Sequence, residues 1–387
     1  MSGFGPDHLP YGVFSTPGAP PRVGVRLGDG VLDLAFETGR DCFAAPSLNP
    51  FLALGPAVWA EVRDEVSALV RDDDFELLPL ASATLHLPFE VADYVDFYCS
   101  EHHAAGVGRL YRPDAEPLLP NWRHLPVGYH GRAGSVVASG TPVVRPRGQR
   151  VLPGDDAPSY GPSRRLDLEA ELGFVVGAPS APGTTVAPDA LADHVFGVVG
   201  LNDWSARDVQ SWEYRPLGPF LGKSFATTVS TWVTPLSALD AAWTPLPGQA
   251  PAPLPHLAHT GGAEAAVGLD VTVEVEVDGE VVSRPPYATT YWSPGQMLAH
   301  LTSNGAALRT GDLFASGTIS GPAPDQVGSL LELTADGTRP RSASGGDRTW
   351  LEDGEVVVLR YSALSTTGGR LTLGEVAGRI ESARTHT

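Results

Sequence analysis

The apolar positions of the first 88 residues predict a small module that contains both strands and a helix. Two short apolar segments, 23–27 and 31–34, flank the sequence Gly-Asp-Gly, which is typical of a tight β-hairpin turn. Four apolar residues then recur at helical spacing: Trp59, Val62, Val66 and Leu69. This spacing predicts an amphipathic helix over 57–71, and residues 77–88 are expected to form a linker. The pattern predicts a β-rich N-terminal domain at 1–88.

After this module, the apolar pattern predicts mainly strands. Residues 269–277 alternate strictly between apolar and polar side chains, and an Asp-Gly pair turns the chain into 280–282, which predicts a β-hairpin. The same reasoning predicts strands at 356–361 and 371–380 and a helix at 294–304. Segments rich in Pro, Gly, Ala and Ser are expected to be surface loops at 151–163, 244–263 and 335–347. The predicted fold is mainly β, with a large C-terminal domain at 89–387.

Composition and charge exclude several classes of protein. The 387 residues are 42% hydrophobic and 18% charged, a mixture that can bury a core and excludes general disorder. The 44 glycines and 36 prolines favour turns and short strands over a helical bundle. A formal net charge of −19 disfavours nucleic-acid binding, because neutralising phosphates requires a basic face.

The sequence also has no pattern typical of a membrane or secreted protein. No apolar run approaches the ~18 residues of a membrane span, and the first residues lack the basic and apolar regions of a signal peptide. The two cysteines, Cys42 and Cys99, are too few for a disulfide framework and fit a reducing compartment. We therefore expect a cytoplasmic protein with no membrane or nucleic-acid partner.

Three carboxylates lie at alternate positions of the segment 166–174. With the period of two of a strand, Asp167, Glu169 and Glu171 share one face and apolar residues share the other. Such carboxylates lie ~7 Å apart and repel each other unless they are solvated or bridged by a cation. A solvated outer face and a cation site are both consistent with the pattern. The apolar residues at 173–177 favour an interior strand, and hence Ca²⁺ or Mg²⁺ with oxygen ligands.

Other candidate groups are individually weaker. Acidic residues lie beside aromatic residues at 93–98, just before His102 and His103, and Asp203 follows the apolar run 195–201. An acid at the end of a buried strand is well placed to act as a ligand or catalyst. Of the two histidines, His103 is a fair candidate for a general base.

Two further observations concern basic residues. His256 and His259 lie in a Pro-rich segment and are expected at the surface. Lys223 is the only lysine among 26 basic residues, so whatever bias replaced lysine by arginine elsewhere did not act at this position.

Eight motifs resemble those of the fumarylacetoacetase family, in the same order from about residue 90 to the C-terminus. The motifs are Asp93-Tyr-Val-Asp-Phe-Tyr98, Leu119-Pro-Asn-Trp122, Leu125-Pro-Val-Gly-Tyr-His-Gly-Arg132, Ser139-Gly-Thr-Pro142, Leu201-Asn-Asp-Trp-Ser-Ala-Arg-Asp208, Trp212-Glu-Tyr214, Pro216-Leu-Gly-Pro-Phe-Leu-Gly-Lys-Ser-Phe225 and Ala315-Ser-Gly-Thr-Ile-Ser-Gly321. The resemblance implies an SH3-like N-terminal β-barrel domain, a mixed β-roll C-terminal domain and a homodimer. It also implies metal-dependent hydrolysis of the carbon–carbon bond of 4-fumarylacetoacetate, a dicarboxylate diketone. The products would be fumarate and acetoacetate, in the last step of tyrosine and phenylalanine catabolism.

The resemblance also implies roles for individual residues. The metal ligands would be Asp96, Glu169, Glu171 and Asp203. The general base would be His103, oriented by Glu332. The groups that face the developing oxyanion would be Arg207, Gln210 and Lys223. The substrate would be held by Tyr98, Arg112, Tyr129, Gln210, Tyr214 and Thr318. A second Mg²⁺ is expected near Asp203, Lys223 and Thr227, with Lys223 contributing its backbone carbonyl.

These residue types suit the hydrolysis of a 1,3-diketone. Two diketone oxygens chelate a divalent cation, which polarises the carbonyl that water attacks. His103 takes the proton of the water, and its carboxylate partner fixes the tautomer. Cationic and amide donors then stabilise the tetrahedral oxyanion.

Three positions depart from the family pattern. Ala226 stands where the family usually has glycine, and Glu101 and His102 replace the usual Arg and Gln before the base. A neighbouring imidazole leaves both histidines as candidates, although Ala104 after His103 favours His103.

Two other functions remain open at this point. One is another enzyme of the superfamily, such as an acylpyruvate hydrolase or an oxaloacetate decarboxylase. The other is a non-catalytic cation- or ligand-binding protein.

Overall fold

The N-terminal part of the chain forms a small antiparallel sheet with helices packed against it. The computed structural model describes residues 3–73, 75–151, 154–342 and 346–385. The first strands are β1 (Tyr11–Ser15), β2 (Arg22–Leu27), β3 (Gly30–Asp33), β4 (Leu77–Pro79) and β5 (Thr84–His86), and the first helices are α1 (Leu34–Thr38), α2 (Asn49–Leu52) and α3 (Pro56–Asp72). The strand order is β4-β3-β2-β1, and β5 also pairs with β1.

The hairpin and the helix predicted for this part are confirmed, and the predicted linker is wrong. β2 and β3 pair in the predicted hairpin, and α3 covers 57–71 and buries Trp59, Val62 and Val66. Residues 77–88 contain β4 and β5, which pair with β3 and β1, so the sheet continues through this segment. Strands of three residues carry too little alternation to be recognised from sequence. The domain boundary at residue 88 stays a prediction.

The rest of the described chain builds two larger sheets and three short ribbons. Its strands are β6 (Asp93–Phe97), β7 (Gly128–His130), β8 (Val136–Ala138), β9 (Val143–Val144), β10 (Arg147–Arg150), β11 (Ser159–Pro162), β12 (Leu166–Asp167), β13 (Ala170–Val176), β14 (Val195–Asp203), β15 (Ser205–Ala206), β16 (Thr227–Val229), β17 (Trp232–Pro235), β18 (Trp243–Pro245), β19 (Ala266–Leu269), β20 (Val271–Val277), β21 (Glu280–Ser283), β22 (Asp312–Ala315), β23 (Val356–Leu364), β24 (Arg370–Thr372) and β25 (Val376–Glu381). A β1–β17 pair joins the N-terminal sheet to the order β17-β14-β13-β22-β6-β7, and β16 links β14 to β8. The second sheet has the order β21-β20-β23-β25-β9, with β24 beside β23, and the ribbons are β10–β11, β12–β15 and β18–β19.

Most of the strands predicted for this part are confirmed. β20 and β21 form the hairpin predicted at 269–282, and β23, β24 and β25 account for the strands predicted near the C-terminus. The first predicted surface loop contains β11, which pairs with β10. Residues 152–153 and 343–345, in two of the predicted loops, lie outside the described residues.

Five further α-helices follow, and two of them are longer than seven residues. They are α4 (Glu101–Tyr111), α5 (Leu191–His194), α6 (Arg207–Glu213), α7 (Pro294–Thr302) and α8 (Leu330–Leu333). Short 3₁₀ turns lie at Asp41–Ala44, Leu80–Ser82, Ala133–Ser135, Pro188–Ala190, Leu236–Ala242, Pro255–Leu257, Gly262–Glu264 and Tyr287–Thr289. α7 confirms the helix predicted at 294–304, whereas the sequence analysis does not predict α4. No helix within the described residues is long and apolar enough to span a bilayer.

The central strands β13 and β14 are buried along their whole length. They pair antiparallel, and each is flanked by further strands. A strand that is covered on both faces needs apolar residues on both, as the sequence of β14 has. The predicted fold class is confirmed, with mainly β structure in a small N-terminal and a large C-terminal part.

Candidate active site

Four buried carboxylates meet at one end of the central sheet. Asp96 lies in β6, Glu169 precedes β13, Glu171 lies within β13, and Asp203 ends β14. One oxygen of each carboxylate lies within 4.8 Å of an oxygen of every other. We call these four residues the acid cluster. The structure therefore brings together the four residues expected to be metal ligands.

The register of the sheet explains why these acids meet. Ala315 of β22 lies opposite both Asp96 in β6 and Gly173 in β13. Ala170, at the start of β13, lies opposite Asn202 near the end of β14. The acids near the start of β13 are therefore held close to those of β6 and β14.

The strand predicted over 166–174 is interrupted before it reaches the cluster. β12 ends at Asp167 and β13 begins at Ala170, and Glu169 between them forms a bridge with Ser329. Every residue of 166–177 is buried, so the alternative of a solvated outer face is wrong. The prediction that Asp167 shares a face with the other two acids is also wrong, because the break lets Asp167 point elsewhere.

Two members of the acid cluster lack a cationic partner. Oδ1 of Asp96 and both side-chain oxygens of Glu171 are buried and accept no hydrogen bond from the described residues. Burial raises the pKa values of Glu171 and Asp96 well above their ordinary range, and the neighbouring carboxylates, including that of Asp203, raise them further. A divalent cation would balance two negative charges, and an all-oxygen donor set fits a hard cation.

Glu169 and Asp203 are paired with buried cations instead. Nζ of Lys223 donates hydrogen bonds to Glu169 and, at 2.8 Å, to Asp203, and Nη2 of Arg207 lies 2.8 Å from Glu169. Burial alone would raise the pKa of Glu169, but Lys223 and Arg207 lower it to about 2. Burial alone would lower the pKa of Lys223, but Asp203 and Glu169 raise it, so the ammonium stays charged. Oγ1 of Thr227 donates to the other oxygen of Asp203 at 2.9 Å.

A buried histidine–carboxylate pair lies near the acid cluster. Nδ1 of His103 is 2.7 Å from Oε2 of Glu332, and the hydroxyls of Ser320 and Ser329 donate to the same oxygen at 3.0 Å and 2.8 Å. Burial alone would raise the pKa of Glu332, but His103 and these hydrogen bonds lower it. A charged Glu332 accepts the proton of Nδ1, which leaves Nε2 as the proton acceptor. Ser329, whose hydroxyl donates to Glu332, also forms a bridge with Glu169 and so links this pair to the acid cluster.

The structure distinguishes the two adjacent histidines. Both lie on α4, but His102 is exposed, whereas His103 is buried and meets Glu332. Two local signals for this arrangement are visible in the sequence and were missed. Ser100 caps α4, with its hydroxyl accepting the N–H of His103, and Ser329 precedes Glu332 in the S-x-x-E pattern of a helix start.

Tyr98 and Tyr129 contact the base and the acid cluster. The ring of Tyr98 packs edge-on against His103 with 5.3 Å between centroids. Tyr129 of β7 lies opposite Asp96 of β6 and forms a hydrogen bond with its carboxylate. Thr318 is buried and lies shortly after the end of β22.

The remaining predicted substrate residues lie further out. Gln210 on α6 accepts a hydrogen bond from Nη1 of Arg207 at 3.1 Å. Arg112 donates to the carbonyl of Pro117 at 2.7 Å, and Tyr214 is 38% exposed just after α6. Among the described residues, neither Arg112 nor Tyr214 forms a hydrogen bond with the acid cluster, so their predicted roles depend on the substrate being present.

A cavity of about 160 Å³ adjoins the acid cluster. Asp203, Lys223 and Thr227 line it, together with Tyr129 and Arg132. Arg132 forms no ion pair with a carboxylate within the described ranges, so its guanidinium is available to an anionic group in the cavity.

A second histidine–carboxylate pair lies outside this site. His259 is 2.6 Å from Asp189 through Nδ1 and 2.7 Å from the hydroxyl of Ser293 through Nε2. The expectation that His259 lies at the surface is wrong, since its side chain is 7% exposed, whereas His256 is exposed as expected. Ser293 is fully buried and its hydroxyl caps α7, so the arrangement attaches a loop to the start of α7.

Comparison with known proteins places the chain in a family. Residues 7–88 match the family model described as Fumarylacetoacetase N-terminal, and residues 93–380 match that described as Fumarylacetoacetate (FAA) hydrolase C-terminal. The chain is 45% identical to the fumarylacetoacetase of Homo sapiens, over 98% of this chain and 96% of the relative. It is 41% identical to the fumarylacetoacetase of Arabidopsis thaliana, over 97% and 94% of the two chains.

The fold is similar to that of a solved structure, the fumarylacetoacetate hydrolase from psychrophilic Exiguobacterium antarcticum. The TM-score is 0.59 at 18% identity, over 97% of this chain and 100% of that chain. At this identity the similarity bears on the fold alone. The family models and the full-length relatives together show that the chain belongs to the fumarylacetoacetase family.

Proposed function

We propose that the protein hydrolyses the carbon–carbon bond of 4-fumarylacetoacetate and releases fumarate and acetoacetate, the last step of tyrosine and phenylalanine catabolism. The observation that carries the proposal is the buried His103–Glu332 pair near a cluster of four buried carboxylates. This arrangement supplies a general base and a cation site in one place. The substrate is supported by the identity of 45% to a relative that bears the name of this enzyme.

The acid cluster is proposed to hold Ca²⁺ or Mg²⁺. The unpartnered oxygens of Asp96 and Glu171 support this, because a buried carboxylate without a donor or a cation is costly. A divalent ion bound there would polarise the carbonyl of a 1,3-diketone and hold its second oxygen. A second Mg²⁺ near Asp203, Lys223 and Thr227 stays a prediction, and both oxygens of Asp203 already accept hydrogen bonds from these two neighbours.

His103 is proposed to act as the general base. Glu332 holds the proton on Nδ1, so Nε2 takes a proton from water as the water oxygen bonds to the carbonyl carbon of the fumaryl half. The tetrahedral oxyanion then collapses and the carbon–carbon bond breaks, with its electron pair leaving on acetoacetate as an enolate. The proton held by His103 returns to the enolate carbon, which regenerates the base.

Arg207, Gln210 and Lys223 are proposed to stabilise the oxyanion. Arg207 and Lys223 are buried cations at Glu169, and Gln210 contacts Arg207. Fixed cations and amide donors in a water-poor site need no reorganisation as the charge develops, and the loss of one donor typically costs ~10²–10³ in rate.

Substrate recognition is proposed to use charge at both ends of the molecule. Fumarylacetoacetate carries two carboxylates, whereas an acylpyruvate carries one. Tyr98, Arg112, Tyr129, Tyr214 and Thr318 are the predicted substrate contacts, with Arg112 as their only cation. Arg132 in the cavity beside the acid cluster provides a second cation for the other carboxylate.

One experiment separates the proposed function from its alternatives. The purified protein is assayed with fumarylacetoacetate, acetylpyruvate and oxaloacetate, before and after treatment with EDTA and after addition of Ca²⁺ or Mg²⁺. Fumarylacetoacetate is expected to be hydrolysed most efficiently, with loss on EDTA treatment and recovery with the cation. Preference for acetylpyruvate or oxaloacetate would favour another enzyme of the superfamily, and cation binding without turnover would favour a binding protein.

The assembly and the location of the protein are also proposals. We propose a cytoplasmic homodimer, as expected from the resemblance and the composition. Light scattering after gel filtration at several protein concentrations tests the dimer, and fractionation of the producing cells tests the location.

A further inference from the structure

Asp167 is a buried carboxylate to which the mechanism above gives no role. It is fully buried, at 0% exposure, and it does not belong to the acid cluster. Each of its oxygens accepts two hydrogen bonds. The donors to Oδ1 are the N–H groups of Leu168 and Leu330 at 2.8 Å and 2.7 Å, and the donors to Oδ2 are the N–H of Leu331 at 3.0 Å and Nε of Arg207 at 2.8 Å.

These contacts join two parts of the site. Leu330 and Leu331 open α8, the helix that carries Glu332 to His103. Asp167 therefore fixes the first turn of the element that presents the partner of the general base.

The fourth contact fixes Arg207. Its three nitrogens meet three different residues: Nε meets Asp167, Nη2 meets Glu169, and Nη1 meets Gln210. Because the guanidinium is planar, anchoring Nε sets the plane in which the two terminal nitrogens lie. Without Asp167, Arg207 would keep its contacts to Glu169 and Gln210 but lose the one that fixes its stem.

We propose that Asp167 is a positioning residue that holds Arg207 and the first turn of α8, and through them the oxyanion donors and the His103–Glu332 pair. The inference rests on the proposed function. A carboxylate is required because four N–H donors converge on its two oxygens. An asparagine offers one acceptor oxygen and one NH₂ group. The N–H donors on one side of the side chain would therefore face the NH₂ group instead of an acceptor.

Asp208 provides a matched control in the same region of the chain. It too is buried, accepts the N–H groups of Arg164 and Val209 at 2.8 Å and 3.1 Å, and lies 3.7 Å from a buried arginine, Arg150. Neither these partners nor Ser163, whose hydroxyl donates to Asp208 at 2.6 Å, belong to the acid cluster. Asp208→Asn therefore measures the cost of removing a buried charge without disturbing the proposed anchor.

The experiment measures kcat and KM for the full-length protein and for Asp167→Asn, Asp167→Glu and Asp208→Asn, each with its melting temperature and its Mg²⁺ affinity. Turnover of fumarylacetoacetate by the wild type tests the proposed function by itself. The role of Asp167 is tested by the ratio of the kcat of the variant to that of the wild type. This ratio is measured on whichever substrate the wild type hydrolyses, fumarylacetoacetate or acetylpyruvate.

We expect Asp167→Asn to lower kcat by about 10- to 100-fold, the usual effect of losing a supporting contact behind a site residue. KM is expected to change less than about threefold, because the anchored donors act mainly on the transition state. Asp167→Glu keeps the charge and is expected to retain more activity than Asp167→Asn. Asp208→Asn is expected to lower the melting temperature with kcat within about threefold of wild type.

A double-mutant cycle with Arg207→Lys tests the route of the effect. In the Arg207→Lys background, the fold-decrease in kcat caused by Asp167→Asn is expected to be at least about threefold smaller than in the wild type. The reason is that part of this decrease acts through Arg207. If Asp167→Asn does not fold, Asp167→Glu replaces it in the cycle. The proposal is overturned if kcat is unchanged in the folded Asp167 variant, if its loss is the same in both backgrounds, or if Asp208→Asn loses as much.

Discussion

Glu171→Gln is expected to stabilise the cation-free protein while it weakens cation binding. Glu171 is fully buried, and neither of its oxygens accepts a hydrogen bond from the described residues. The ligand oxygens of the acid cluster all lie within 4.8 Å of one another. At that distance, two unit charges repel by about 3 kcal/mol at an effective dielectric constant of about 20. Removing the charge of Glu171 relieves its repulsion with Asp96, which also lacks a cation. Because the raised pKa values of Glu171 and Asp96 mean that protons already neutralise part of this charge in the cation-free protein, the variant is expected to gain only part of this repulsion in its free energy of unfolding.

The same charge acts with the opposite sign on a bound cation. An attraction lower by about 3 kcal/mol corresponds to a dissociation constant about 100-fold higher. The doubled charge of a divalent ion increases this loss, whereas the amide oxygen, which remains a ligand, reduces it. We therefore expect cation affinity to fall by about 100-fold, and turnover to be nearly abolished at cation concentrations that saturate the wild type.

The assay combines calorimetric titration of EDTA-treated protein with Ca²⁺ and Mg²⁺ and denaturant unfolding with and without the cation. Glu355→Gln is the control, because Glu355 is also buried but pairs with Arg341 and accepts the N–H of Glu352. The control is expected to lose stability and keep its cation affinity. The reasoning is refuted if Glu171→Gln binds the cation as tightly as wild type, or if the cation-free variant is less stable than wild type.

The remaining predictions concern single side chains. His103→Ala should lower kcat by orders of magnitude and His102→Ala should change it little, because only His103 meets Glu332; a larger loss in His102→Ala would reverse the assignment of the base. Lys223 should react slowly in amine acylation followed by mass spectrometry, since it is 7% exposed and its ammonium is held by two carboxylates, and a diketone analogue should slow it further. Lys223→Arg should lower kcat by about 10²–10³, because the planar guanidinium does not replace a point charge between two carboxylates, and a fully active variant would remove Lys223 from the mechanism. Arg132→Gln should raise KM for fumarylacetoacetate by about tenfold and leave KM for acetylpyruvate unchanged, and an equal rise for both substrates would contradict its role at the second carboxylate.

The elements that the sequence predicts correctly are those with a strong local pattern. The strict alternation of 269–277 with its Asp-Gly turn predicts β20 and β21, and the helical spacing of Trp59, Val62 and Val66 predicts α3. Elements without such a pattern are missed. β4 and β5 have three residues each, and α4 contains glycines at two of its positions, which weakens the helical pattern.

The pairing of His103 with Glu332 is a different case, because 229 residues separate the two in sequence. No local periodicity encodes such a contact. The resemblance to a known family implies it, and the geometry of the two side chains supports it. The exposed position of His102 on the same helix depends likewise on which face of α4 meets α8, and α4 has no predicted counterpart in the sequence analysis.

The acids of 166–171 show which features of the site a local sequence pattern predicts and which it does not. A strict period of two treats Asp167, Glu169 and Glu171 as equivalent, and their repulsion predicts a compensating cation. The break between β12 and β13 makes them unequal: Glu171 faces other carboxylates, Glu169 meets Lys223 and Arg207, and Asp167 meets only donors. The partners that decide this lie 40 and 163 residues away in sequence, on α6 and α8. An acid that accepts four hydrogen bonds has no lone pair directed at a cation, whereas one that accepts none has both oxygens available. The hydrogen-bond partners of Asp167 and Glu171, rather than their places in the alternation, therefore separate the proposed anchor from this proposed ligand.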